Sequence, residues 1–295
     1  MKKKISSKVK NLLWATDFSE VSRACLPYVK QFFENLHTNN HALYVLPRFA
    51  DWVYETAFFK DEELLKTIES TKQKSLEKIE STSQGSGIPF KAGAVEGIES
   101  EEVLRYAENN DIDIIFVGRS GISEIEEILI GSTASRLIRN SRIPIFVVPK
   151  PTEDAKIKRI LSPIDLGESS LLELKYSIAL ARQLKAKLYL VHVAEFFNYR
   201  VPVFKRDKLI EKINGKIAKI AEESNYKVEN VIYETGEPAK KIIEVAKKND
   251  IHLVVMATHQ RKGIEKFFLG SISEKVLMYC NIPVLILPSS DYELS

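Results

Sequence analysis

Two tandem doubly wound α/β domains are expected of this 295-residue chain. Three observations lead there. The sequence is written twice, short apolar runs alternate with amphipathic helical segments, and a proline-marked charged stretch separates the copies.

The repeat is clearest where Glu99–Gly121, ESEEVLRYAENNDIDIIFVGRSG, is laid on Pro238–Gln260, PAKKIIEVAKKNDIHLVVMATHQ. The offset, 238 minus 99, is 139 and holds without a gap, so that Ala107 matches Ala246, Asp111 matches Asp250, Gly131 matches Gly270 and Pro144 matches Pro283. Nearer the two beginnings the offset is 165 minus 17, or 148: Asp17 in LLWATDFSE matches Asp165 in ILSPIDLGE, and Val45 matches Val193. The difference, 148 minus 139, puts nine extra residues in the first copy between Val45 and Gly97. The linker PKPTEDAK, Pro149–Lys156, divides the chain into domains 1–150 and 151–295.

Strand candidates in the first copy are Asn11–Ala15, Ala42–Leu46, Phe90–Ala94, Ile112–Val117 and Ile145–Val148. Their counterparts are Arg159–Pro163, Lys187–Val193, Val228–Tyr233, Ile251–Met256 and Val284–Leu287. Amphipathic segments such as EEVLRYAENN and AKKIIEVAKKN lie between them. Nearly uninterrupted Val/Ile/Leu strands imply a parallel sheet covered on both faces, wound through right-handed crossovers. Each copy is therefore expected to be a Rossmann-like domain on a five-stranded parallel sheet. The last strands, IFVV and VLIL, are apolar enough to need a partner. Joining them across a pseudo-twofold axis would make the chain an intramolecular dimer.

Composition narrows the function. Lys plus Arg number 43 against 40 Asp plus Glu, a net charge of only +3, which gives no electrostatic case for nucleic acid. The basic start, MKKKISSKVK, reads as a solvated terminus. No apolar run approaches the roughly 18 residues of a membrane helix or the core of a signal peptide, so a cytoplasmic protein without membrane contact is expected. Cys25 and Cys280 are the only cysteines and read as small core residues. The five histidines come without a Cys-x-x-Cys pair, and no metal motif is expected.

The segment VGRSGISEIEEILIGSTASRLI, Val117–Ile138, carries the chemistry. Gly118 ends an apolar run, and ligands of open parallel sheets sit beyond such ends. Glycine there lets main-chain N–H groups approach a ligand. Gly131-Ser132-Thr133 reads as a helix opening, with unpaired N–H groups and a positive dipole end that suit phosphate. The Ser132 and Thr133 hydroxyls add donors. Spacing alone leaves a second reading open, in which the glycines only shape a turn and cap a helix. The P-loop pattern is absent, and the first strand–helix turn, ATDFSE, has no glycine for a dinucleotide pyrophosphate. Asp17 in that turn repels phosphate but can accept hydrogen bonds from ribose hydroxyls or an adenine amino group. Base near strand one and phosphates near strand four make a coherent mononucleotide layout.

These residues resemble the universal stress protein family. Gly118, Gly121, Gly131 and Ser132 fit its nucleotide pattern Gly-x-x-Gly-x9-Gly-[Ser/Thr], and LLWATDFSEVSRA, YVLP and RIPIFVVP support it. The second copy carries ILSPIDLGESS, LVHVAE and NIPVLILP in corresponding places, so that nearly the whole chain is similar to a tandem member. The resemblance implies a five-stranded parallel sheet, dimerisation through the last strands, and binding of ATP or of ADP or AMP. It places Asp17 against the adenosine and Val45 in the adenine pocket. Gly118, Gly121, Gly131 and Ser132 would hold the phosphates, beside Arg119 and Thr133. The second copy keeps Asp165, Val193, Gly270 and Ser271 but has Ala257 and Gln260 in place of glycines, which implies a degenerate or differently tuned site.

Other residues fit bland readings. Phe49, Trp52, Tyr54, Phe58 and Phe59, in the stretch that holds the nine-residue excess, read as packing rings in preference to a lid or partner surface. His192 reads as structural, His259 stands beside Gln260, and neither has a nucleophile partner. Glu124, Glu126 and Glu127 read as a solvated face. No residue set demands catalysis. The expected role is that of an adenine-nucleotide-binding stress sensor or regulator, with an unidentified protein partner and a homodimer of tandem chains as its assemblies. The alternatives are a nucleotide-independent scaffold and a weak Mg2+-dependent ATPase or autokinase modified at Ser132 or Thr133.

Overall fold

The computed structural model of the protein describes residues 3–48, 61–119, 130–152, 155–165, 168–194, 203–257, 270–288 and 292–294. The chain forms two compact units, Val9–Glu153 and a second that joins Met1–Lys8 to Asp154–Ser295.

Strand β1 (Lys3–Ile5) opens the chain and belongs to the second unit. The first unit runs β2 (Asn11–Thr16), α1 (Glu20–Arg23), α2 (Leu26–Leu36), β3 (Asn39–Pro47), α3 (Asp61–Ser86), β4 (Phe90–Gly97), α4 (Glu99–Asn109), β5 (Ile114–Gly118), α5 (Ser132–Asn140) and β6 (Ile145–Val148). Its strands pair in parallel in the order β4-β3-β2-β5-β6. The chain winds one way from β2 through β3 to β4, then returns to β5 and β6 on the other side of β2. That reversal opens a crevice at the carboxyl ends of β2 and β5.

The second unit repeats this order with β7 (Arg159–Pro163), α6 (Glu168–Leu184), β8 (Lys187–Ala194), α7 (Val203–Glu223), β9 (Asn230–Thr235), α8 (Pro238–Lys248), β10 (Leu253–Ala257), α9 (Ser271–Tyr279) and β11 (Val284–Leu287). Its parallel order is β9-β8-β7-β10-β11. The repeat extends to backbone detail. Asp111 and Asp250 both sit at φ 49°, and Gly97 and Gly236 take φ 157° and 135° at the turns into α4 and α8.

Burial explains why the strands read as apolar runs. Leu12, Leu13 and Trp14 of β2 and Ile114, Ile115 and Phe116 of β5 are fully buried. Phe116 stacks on Phe146 with centroids 4.6 Å apart, and Phe32 of α2 meets both rings edge-on at 5.5 and 6.3 Å. Such pairs contribute about 1 kcal/mol each beyond the area they bury. Cys25 and Cys280 are buried core residues, as their isolation in sequence suggests.

All ten expected core strands are present, with shifted ends. β3 begins at Asn39 and not at Ala42, because neighbours in the fold satisfy the side chains of Asn39, Asn40 and His41: Thr38 Oγ1 donates to Asn40 Oδ1 at 2.8 Å, Asn39 Nδ2 donates to Asn11 Oδ1 at 2.9 Å, and His41 Nδ1 lies 3.0 Å from the Tyr106 hydroxyl. The basic start is not simply a solvated terminus. β1 pairs in parallel with β12 (Tyr292–Leu294), and Gln183 Nε2 donates to the Ser7 carbonyl at 2.6 Å. Main-chain pairing of three residues needs no apolar pattern, so composition could not reveal it. The aromatic segment from Phe49 to Phe59, the three glutamates Glu124, Glu126 and Glu127, and His259 with Gln260 lie outside the described residues.

Candidate functional site

At the end of β2 the chain turns through Asp17, Phe18 and Ser19. Asp17 Oδ1 accepts the Ser19 N–H at 2.9 Å, and Thr16 Oγ1 accepts the Phe18 N–H at 2.9 Å and the Ser22 hydroxyl at 2.9 Å. Ser19 caps α1 by accepting the Ser22 N–H at 3.2 Å, and Trp14 Nε1 donates to the Ser22 carbonyl at 2.9 Å. These bonds hold α1 against the sheet. Phe18 sits in the left-handed region at φ 61°, and its ring stacks on Tyr44 with centroids 5.3 Å apart. Lys78 of α3 lies over the Phe18 ring at 5.3 Å.

Gly118 closes β5 directly beneath α1. A Cβ there would stand 3.0 Å from Val21 Cγ1 and 3.1 Å from the Ser22 nitrogen. Glycine at this position is thus explained by helix-to-strand approach, a reason that spacing did not suggest. The backbone then continues as a chain of bonds. The Arg119 N–H donates to the Val148 carbonyl at 2.8 Å, and the Gly131 N–H donates to the Arg119 carbonyl at 2.7 Å. Gly131 is the N-cap of α5, at φ −56° and ψ 152°, without a side-chain cap. The first bond of α5 runs from the Ser135 N–H to the Gly131 carbonyl, so the Ser132, Thr133 and Ala134 amides precede the helical ladder.

These pieces surround a cavity of about 430 Å³ at the carboxyl ends of β2, β3 and β5. Asp17, Val45, Gly118, Arg119, Gly131, Ser132 and Thr133, seven residues singled out in the sequence, all line it. Gly121 lies outside the described residues. Thr16, Tyr44 and Glu99 line it too, and the sequence reading missed them. The contrast between copies held the signal, because their counterparts are Ile164, His192 and Pro238.

The lining is electrically polarised. Asp17 after β2 and Glu99 in the first turn of α4 bring carboxylates to the lining, and Arg119 after β5 and the open end of α5 bring positive charge. The first turn of α4 carries its own carboxylates, Glu99, Glu101 and Glu102, whereas that of α5 carries none. A ligand anion is therefore directed to α5. Burial, and then the Asp17 and Glu99 carboxylates, push the Tyr44 phenol above its usual range. Burial and then Asp17 push the Cys25 thiol up as well, which leaves it a poor nucleophile.

At Asp165 of the second unit the described residues outline a small void. Asp165 lines a void of only about 10 Å³, with Ile164, Ser170, Leu174, and Ile213, Lys216 and Ile217 of α7. That volume is at the threshold for one water. Val193, Gly270 and Ser271 do not line it. Ala257, where the first unit has Gly118, donates its N–H to Glu173 Oε2 at 3.1 Å, and Ser162 Oγ donates to Glu173 Oε1 at 3.2 Å. His192 is structural, with Nδ1 2.9 Å from the Ile164 carbonyl.

A wider groove of about 1150 Å³ lies at the opposite, amino ends of β3 and β4, beside His37, His41, Glu80 and Lys91. It is shallow and lacks the convergent amides of the smaller cavity. Among the described residues no group of three or more His, Cys, Asp or Glu could hold a metal ion, and no helix is long and apolar enough to cross a membrane.

Comparison with known proteins agrees with the fold. The sequence profile of the Universal stress protein family matches residues 8–149 and 156–288. Universal stress protein Slr1230 of Synechocystis sp. is 26% identical over 301 residues, covering 94% of this chain and 99% of its own. Universal stress protein MJ0531 of Methanocaldococcus jannaschii is 27% identical over 153 residues, covering 49% of this chain and 85% of its own. The crystal structure of a universal stress protein from Archaeoglobus fulgidus superposes with a TM-score of 0.71 at 20% identity, covering 97% of this chain and 99% of that one. With the profile matched twice, on two units of the same winding, the chain belongs to the universal stress protein family as a tandem member.

Proposed function

We propose that the first unit binds an adenine nucleotide and that the protein works as a nucleotide-dependent sensor or regulator. The observation that carries this reading is the 430 Å³ cavity, which Asp17, Arg119 and the opening residues of α5 line together. The volume suits a drug-sized ligand. Phosphate would lie on the Ser132, Thr133 and Ala134 amides and on Arg119, with the Ser132 and Thr133 hydroxyls as further donors. The ribose would donate hydroxyls to Asp17, and the base would lie against Val45 and Val103. With ATP, Mg2+ would arrive on the phosphates.

The second unit is proposed to serve as a partner domain without a nucleotide of its own, a reading supported by Ala257 and Gln260 standing where the first copy has Gly118 and Gly121. Thermal shift of the intact protein with ATP, ADP and AMP tests the reading. Ligand at about 100 times its dissociation constant contributes about 2.7 kcal/mol to the state that binds it. Stabilisation that disappears in Arg119→Ala supports a site in the first unit. No stabilisation by any of the three nucleotides would favour the nucleotide-independent scaffold, and product formation well above background would favour an ATPase.

A further inference from the structure

We propose that Glu99, together with Asp17, makes the first unit select nucleotides whose phosphate is carried on the 5′ oxygen alone, with the 2′ and 3′ hydroxyls bare. This rests on the nucleotide reading of the cavity. Glu99 enters the lining from the first turn of α4, and Asp17 from the end of β2. The two elements flank the end of β3, where Tyr44 pairs with Thr16 on one side and with Ala94 on the other. Glu99 lines the cavity together with Asp17 and Tyr44, and both carboxylates add to burial in pushing the Tyr44 phenol up.

The chemistry that follows is a matter of donors and charge. A ribose hydroxyl is a donor, and two carboxylates are acceptors only, so a bare diol is matched there. A phosphate on the 2′ or 3′ oxygen is also an acceptor and brings like charge into a half-enclosed space, where charges are screened less than in water. The same holds for a 3′,5′-cyclic phosphate, which ties its charge to the sugar. Attraction at the α5 end and repulsion at the α4 end together fix which end of the nucleotide enters where. The second unit has Pro238 in place of Glu99 and lacks the device.

Equilibrium binding of the full chain to 5′-AMP, 3′-AMP, 2′-AMP and 3′,5′-cyclic AMP tests this. The expected result is that 5′-AMP binds at least about tenfold more tightly than the other three, since like-charge juxtaposition is the stronger discriminator. Glu99→Gln should reduce that ratio severalfold, Asp17→Asn should reduce it as well, and raising the salt should narrow it in the wild type. Equal affinities for all four nucleotides would overturn the selectivity while leaving the site intact. A ratio unchanged in both variants, with each retaining the wild-type circular dichroism spectrum, would overturn the role of the carboxylates. Absence of binding by every nucleotide would instead remove the nucleotide reading, and the selectivity with it.

Discussion

Gly118 lies so close to α1 that a Cβ added to it would stand 3.0 Å from Val21 Cγ1 and 3.1 Å from the backbone nitrogen of Ser22. One wall of the cavity is thus set by helix-to-strand approach. Gly118→Ala should destabilise the first unit by about 1–2 kcal/mol, because α1, tied by Trp14 and Thr16, has little room to retreat. Hydrogen exchange resolved to β2, β5 and α1 measures this. Unchanged protection there would mean that the helix yields freely.

Arg119 is the cation of the cavity lining among the described residues. Arg119→Ala should weaken nucleotide binding by roughly tenfold or more, and Arg119→Lys should recover only part of it, because a point charge replaces a planar fork. Calorimetric affinities for AMP and ATP check this. A larger loss is expected for the ligand with more phosphate.

In the second unit, Glu173 is 2% exposed and accepts bonds from Ser162 Oγ and the Ala257 N–H. Glu173→Ala leaves two buried donors without that acceptor and should cost about 2–4 kcal/mol, whereas Glu173→Gln keeps one acceptor and should cost less. Urea unfolding followed separately in the two units, by hydrogen exchange, should place the loss in the second. A loss confined to the first unit would contradict the assignment.

His41 is buried at the amino end of β3, with Nδ1 3.0 Å from the Tyr106 hydroxyl. Burial, and then the nearby Lys91 ammonium, hold its pKa below the ordinary 6.5. The unfolded chain therefore takes up a proton first as pH falls through 6.5, and stability declines from there toward the folded pKa. Urea midpoints between about pH 7.5 and 5.5 should fall more steeply in wild type than in His41→Gln. Equal slopes would show that His41 does not contribute.

Much of this was legible in the sequence, for reasons that differ from element to element. Strands such as Ile145–Val148 were visible because burial on both faces demands an unbroken apolar run. The ends of β3 were not, because Asn39, Asn40 and His41 are held by side-chain bonds that only the folded neighbours supply. That Asp17 and the residues from Gly131 to Thr133 meet at one crevice was legible because α/β topology fixes where strand ends and helix starts converge, whereas Val45 was reached only through the family resemblance. Tyr44 and Glu99 were not, since a tyrosine after an apolar run and a glutamate at a helix start have ordinary local explanations. Gly118 was noticed for backbone approach to phosphate, whereas its neighbour in the fold is Val21.

The central claim is that one nucleotide site, in the first unit, serves the whole chain. Isothermal titration of the intact protein with AMP and ATP tests it most directly. A stoichiometry of one nucleotide per chain, lost or greatly weakened in Arg119→Ala, is the predicted result. Two equivalent sites per chain, or binding that survives Arg119→Ala unchanged, would contradict it.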